Sequence, residues 1–399
     1  MDRLIVKNFG PLKDVDIELN KINLFIGENG SGKSVLGKIV TIVKDFTHSD
    51  KIEILEKFRD YNIDFLTNET VIQLFEDESL LFKIENYEIF AFLLDKKKQK
   101  KEEENNKNLV VGNSKISDEM KDFFSKEENL ESIKPILEEL SKSYHTVEKQ
   151  LNPIFEDLMK KLSTIDIEGF KQQYKAQYIP AERNLISLFN KYVTTFITAD
   201  IPLPKFLLNF SSQYVRAREE IRELNLLNVK YKFESDQERI FYNDEEFLLL
   251  EKSSSGIQSA LPLYLAVKYF AKKHKSIIIE EPEQNLFPKA QKETVEYIVE
   301  QMSDDNSLFM MTHSPYVLTA LNNLILANDV KTQKGVEAIE GIVKKEQCVA
   351  FEDVSAYSLV DGKSISIIDK EDRLIGVNLI DSISDEVSDT FDKLLAKLD

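Results

Sequence analysis

Residues 27–34 read Gly-Glu-Asn-Gly-Ser-Gly-Lys-Ser, a glycine followed after four residues by Gly32, Lys33 and Ser34. That spacing suits a phosphate. Glycine lets the backbone curl so that the N–H groups around Asn29, Gly30, Ser31 and Gly32 converge on one anion, the Lys33 ammonium reaches two neighbouring phosphates, and the Ser34 hydroxyl supplies a ligand for Mg2+. The flanks argue against a plain glycine turn. Ile22 to Ile26, with Asn23 its single polar residue, predicts a buried strand. Beyond the loop, Leu36, Ile39, Val40 and Val43 recur at helical spacing, so a helix N-terminus adds its positive end to the same position.

Two further strand ends carry reactive side chains. Ser276 to Ile279 is an apolar strand that runs into Glu280, Glu281, Pro282 and Glu283. In a phosphate-loop fold Glu280 would complete the Mg2+ shell, and Glu281, one residue on and facing the other way, would take a proton from an attacking water. Alone, such a cluster reads equally well as helix capping. Met310 to Thr312 closes a second apolar strand and sets His313 at the carboxyl edge of the sheet, where open α/β sheets bind ligands. A single histidine there is ordinarily packing; beside a phosphate loop and Glu281 it points to the γ-phosphate or the attacking water. Ser253, Ser254, Ser255 and Gly256 open a helix that includes Pro262, and form either an ordinary cap or a second anion site.

The elements around these residues predict an α/β P-loop NTPase. Leu4/Val6 and Val15/Ile17/Leu19 alternate about Gly10-Pro11 as a β-hairpin, and short strands are expected at 229–233, 239–242 and 247–250. After residue 253 helix and strand alternate, which signals a parallel sheet with crossover helices. The expected division is an N-terminal lobe (1–94) with an antiparallel β-subdomain, an inserted charged loop and helical lobe (95–226), a second ATPase lobe (227–327), and a small C-terminal appendage (328–399). The appendage carries a hairpin at Asp361-Gly362 and an amphipathic helix with Ile380, Ile383, Val387, Phe391, Leu394 and Leu398 on one stripe. Of 399 residues 42% are hydrophobic and 31% charged, which is globular, and the net charge of −18 opposes wrapping of DNA by this chain alone. One cysteine excludes an intramolecular disulfide and fits a cytoplasmic protein; no apolar run approaches the roughly 20 residues of a membrane span, so no membrane is expected.

Phosphate loop, serine-glycine helix start, acidic strand end and strand-end histidine follow one another as in ABC-type ATPases. With KNFGPLKDVDIEL, FIGENGSGKS, YIPAERN, SSSGIQS, IIIEEPEQNLFP and MMTHSPYVL, the chain resembles the SMC/RecF/OLD group, and especially the short ATPases of bacterial anti-phage systems such as Septu and retrons. The resemblance implies an ABC-type ATPase head with ATP and Mg2+ as its ligands. It implies a homodimer with each ATP held between Lys33 of one copy and Ser255 and Gly256 of the other, and a separate effector, a nuclease or toxin. By the same similarity Gln284 to Leu286 lie in the D-loop, Lys7 and Asn8 approach the adenine, and Gln177 or Glu182/Arg183 fill the Q-loop region. Ile257 departs from the transporter signature. DNA repair of the SMC/RecF kind is the alternative.

Overall fold

The computed structural model describes residues 2–45, 51–91, 176–189, 203–303, 305–376 and 379–397. Of the charged loop and helical lobe expected over 95–226, residues 95–175 and 190–202 lie outside the described residues. The architecture below belongs to one compact unit built from Met1–Leu93 and Gln172–Asp399.

The chain opens with the expected hairpin, β1 (Asp2–Phe9) against β2 (Leu12–Leu19), whose inward residues alternate with exposed ones. β3 (Ile22–Ile26) is buried at every position and leads through the glycine loop into α1 (Lys33–Lys44). α2 (Lys51–Asp60) and the antiparallel strands β4 (Val71–Glu76), β5 (Ser79–Glu85) and β6 (Glu88–Ala91) extend the edge that begins with β1. β7 (Ala176–Ile179), α3 (Asn184–Phe189) and α4 (Lys205–Glu220) follow. A separate four-stranded sheet holds β8 (Glu223–Leu226), β9 (Val229–Glu234), β10 (Gln237–Phe241) and β11 (Phe247–Leu249). α5 (Ser255–Phe270), β12 (Ser276–Glu280), α6 (Pro288–Gln301), β13 (Ser307–Thr312) and α7 (Pro315–Lys334) give the predicted alternation. The chain closes with β14 (Val354–Val360), β15 (Lys363–Ser366), the small pair β16 (Ile368–Asp369) and β17 (Leu374–Ile375), and α8 (Leu379–Leu395).

Eleven strands form the main sheet in the order β6-β5-β4-β1-β2-β15-β14-β3-β13-β12-β7. β14, β3, β13, β12 and β7 run parallel, and the β6-to-β2 end is antiparallel. This is the P-loop ATPase fold, a mixed sheet with an antiparallel N-terminal part. α1 packs on β7, β12 and β13, burying Leu36, Ile39, Val40 and Val43. Strands covered on both faces need continuous apolar sequence, which explains why β3, β12 and β13 were legible as runs rather than alternations.

Three expectations need correction. Residues 328–399 are not an appendage, because β14 sits inside the sheet between β3 and β15, and β15 touches β2. Residues 176–226 are not part of an inserted lobe: β7 pairs with β12, and α4 packs on β7 and α5. The helical lobe expected to reach residue 226 ends its last helix at Glu220, since Leu224 and Leu226 alternate with exposed neighbours and pair with β9. Four-residue strands are too short for periodicity to register; their partners define them.

Candidate active site

The phosphate loop begins where β14 comes close. A methyl group on Gly27 would lie 2.6 Å from the Leu359 carbonyl oxygen, so only glycine fits. Gly30 and Gly32 take φ values of 79° and 99°, in the left-handed region where a side chain strains the backbone. Lys33 folds back over the loop and donates to the carbonyls of Gly27 (2.8 Å) and Glu28 (2.9 Å) and to Ser31 Oγ (3.3 Å). Burial lowers its pKa to about 8, against the upward pull of Glu281, Glu283 and Glu280. Ser34 is exposed beside it on α1.

Parallel pairing of β3, β13 and β12 brings the loop, His313 and the carboxylates to one sheet edge. Glu280 is 4% exposed, and its Oε1 has no hydrogen-bond partner. Burial raises its pKa, opposed by the hydroxyl of Tyr178, the charge of Lys38 and the hydroxyl of Ser34. A buried carboxylate oxygen without a partner, facing a serine hydroxyl, fits a hard cation with oxygen ligands. Glu281 has φ 44°, its N–H donates to the Met311 carbonyl at 2.8 Å, and its side chain reaches toward solvent. His313 Nε2 lies 3.6 Å from Glu281 Oε1.

The helix start at residue 255 is built as a donor surface. Ser254 Oγ accepts from the Ile257 N–H as the N-cap, which leaves the exposed Ser255 hydroxyl outside the cap. α5 includes Pro262 and continues past it to Phe270. The missing N–H frees the Gln258 carbonyl, and Ser187 Oγ donates to it at 2.7 Å. Ser259 Oγ donates to Gln284 Oε1 at 3.0 Å, which ties α5 to the stretch after Glu281.

Two side chains matter more than the sequence indicated. Arg183 is completely buried and donates to the carbonyls of Pro180 (3.0 Å), Ser259 (3.2 Å), Glu280 (2.6 Å) and Glu281 (2.5 Å). Glu283 Oε1 accepts from Thr312 Oγ1 and from the His313 N–H, each at 2.7 Å. The third carboxylate of the Glu280-Glu281-Pro282-Glu283 run was the available signal for Glu283. Gln177 is buried, donating to Gln213 Oε1 at 2.6 Å, whereas Glu182 is exposed. Lys7 pairs with Asp14 at 3.5 Å and Asn8 donates to the Glu69 carbonyl at 3.3 Å, both on the surface.

Residues 81–318, more than half of the chain, match the AAA ATPase domain family. The chain belongs to that family. The matched span of this ATPase holds Ser255, Glu280, Glu281 and His313, and its phosphate loop precedes the span and joins it through β3. Among solved structures, the ATPase is similar to the Smc head domain of Pyrococcus furiosus bound to the C-terminal domain of ScpA, at 12% identity over 92% of this chain and 96% of that one, TM-score 0.37. It is similar to the SMC head domain from Thermotoga maritima, at 12% identity over 92% and 97%, TM-score 0.39. An ATP-binding cassette of an ABC transporter in its ADP conformation gives 12% identity over 94% and 93%, TM-score 0.35. No curated protein matches. Among the described residues no helix is long and apolar enough to cross a membrane.

Proposed function

We propose that this ATPase hydrolyses ATP in a nucleotide-bridged homodimer that controls a separate effector. The observation that carries the hydrolytic part is the convergence of Lys33, Glu280, Glu281 and His313 at one sheet edge. Lys33 exchanges its loop carbonyls for the β and γ phosphates, while the loop N–H groups and the α1 N-terminus hold the remaining oxygens. Ser34 and Glu280 are the residues that would hold Mg2+, which neutralises charge on the phosphate oxygens when bound. Glu281 takes the proton of the attacking water as the bond from the γ-phosphorus to the β,γ-bridging oxygen breaks, giving ADP and phosphate. His313 orients that water or the γ-phosphate.

Dimer formation is supported by the exposed Ser255 at a capped helix N-terminus, an arrangement that favours an anion supplied from outside. ATP clamped between Lys33 of one copy and Ser255 and Gly256 of the other joins the pair, and hydrolysis loosens it. The resemblance to Septu and retron ATPases supports anti-phage defence as the setting, with a nuclease or toxin as effector, and the net charge of −18 disfavours direct action on DNA. Glu281→Gln should slow turnover about 10²- to 10⁴-fold and give a dimer in ATP by sedimentation. Unchanged turnover removes Glu281 as the base. A chain that stays monomeric in saturating ATP, with Ser255→Ala turning over normally, removes the bridged dimer.

A further inference from the structure

Glu283, Gln284 and Asn285 follow the acidic strand end directly and face two ways. On one side, Glu283 Oε1 accepts from Thr312 Oγ1 and the His313 N–H at 2.7 Å each. Thr312 Oγ1 itself accepts from the Ser314 N–H at 2.9 Å, so this single carboxylate oxygen organises the whole turn from β13 into α7. On the other side, Gln284 Oε1 accepts from Ser259 on α5 at 3.0 Å, and a methyl on Gly256 would stand 3.0 Å from the Asn285 carbonyl oxygen. Three consecutive residues therefore touch both the histidine-bearing strand end and the serine-headed helix.

The His313 ring does not fix itself. Its 3.6 Å separation from Glu281 Oε1 exceeds a hydrogen bond, so its placement depends on how its backbone is held. Bonds to an ionised carboxylate are about twice as strong as neutral ones, and here two of them share one oxygen. The other oxygen, Oε2, is buried with no partner, so solvent does not compete for the carboxylate from that side.

We propose that Glu283 is a positioning residue for hydrolysis. It sets His313 against Glu281 and, through Gln284 and Asn285, makes that setting depend on what engages the helix start at Ser255. The inference rests on the hydrolytic reading of the site given above.

The test uses the full chain, with turnover and ATP affinity measured separately. Glu283→Ala should lower kcat about 10- to 100-fold, the scale of a misplacement near 1 Å, with the Kd for ATP within about twofold of wild type. Glu283→Gln keeps one acceptor oxygen for both donors and should recover to within about threefold of wild type. The Glu283→Ala/His313→Ala double variant should be no slower than His313→Ala alone, as expected when one residue acts through the other. Should Glu283→Ala not fold, Thr312→Val removes one of the two donors, and it should lower kcat less than His313→Ala while leaving Kd unchanged. Wild-type turnover in Glu283→Ala, or in Thr312→Val where that variant stands in, overturns the proposal. Losses that multiply in the double variant also overturn it, and a Gln variant as slow as Ala overturns its hydrogen-bond origin. Failure of the underlying reading looks different: Lys33→Ala would then hydrolyse ATP as well as wild type.

Discussion

Replacement of Arg183 by methionine, similar in length and without charge, tests how the carboxylate edge is held. The guanidinium spans the end of β7 through Pro180, the end of β12 through Glu280 and Glu281, and α5 through Ser259. Burial depresses its pKa to about 10, with Glu283, Glu281, Glu280 and Glu182 pulling it back up, so it is charged at neutral pH. Bonds from a charged donor contribute about 1.5 kcal/mol or more each, so losing four costs about 6 kcal/mol. Relief from burying a cation, several kcal/mol in its own right, offsets part of this and leaves a net loss of about 2–4 kcal/mol. For a unit of this size the melting temperature should fall about 3–6 °C. Urea denaturation of Arg183→Met reads the free energy, and Arg183→Lys separates charge from geometry. A lysine keeps the charge but lacks the planar fork that reaches three segments at once, so it should recover less than half of the loss. A methionine variant within about 0.5 kcal/mol of wild type, the range of an ordinary surface change, would refute the assignment of Arg183 as the strap across these segments.

Lys33 gives a pH prediction with opposite signs for binding and folding. A bound triphosphate favours the charged ammonium, so binding takes up a proton once the free lysine titrates near pH 8, and ATP affinity should weaken up to about tenfold per pH unit above that point. Titration calorimetry in buffers of different ionisation enthalpy detects the uptake, and an affinity flat from pH 7 to 9.5 would contradict it. For the nucleotide-free fold, a lysine pKa below its unfolded value of 10.5 means that stability rises as pH climbs from about 8 to 10.5. Gly27→Ala brings a methyl to 2.6 Å of the Leu359 carbonyl, so β14 must shift away from the loop. A loss of about 1–3 kcal/mol and weaker ATP binding are expected by thermal melting and calorimetry; a neutral variant would mean that β14 does not confine the loop.

What the sequence by itself determined is the chemistry whose grammar is local. The phosphate loop, the apolar runs of β3, β12 and β13, the β1–β2 hairpin and the Asp361-Gly362 turn each depend on residues a few positions apart, and each is found where spacing predicted it. Tertiary structure alone decided the rest. β7 joined the main sheet as an edge strand only through β12, and β14 as an interior strand only through β3 and β15, while the Tyr357 hydroxyl accepts from the Glu18 backbone N–H, 339 positions away. Glu283 read as one more acidic residue until the fold set Thr312 and His313 against it, and Arg183, offered by resemblance only as a Q-loop candidate, became a strap once four carbonyls surrounded it. The physical reason is that a hydrogen bond or a close approach belongs to two positions in space, and side-chain type specifies only what each position offers, not what it meets.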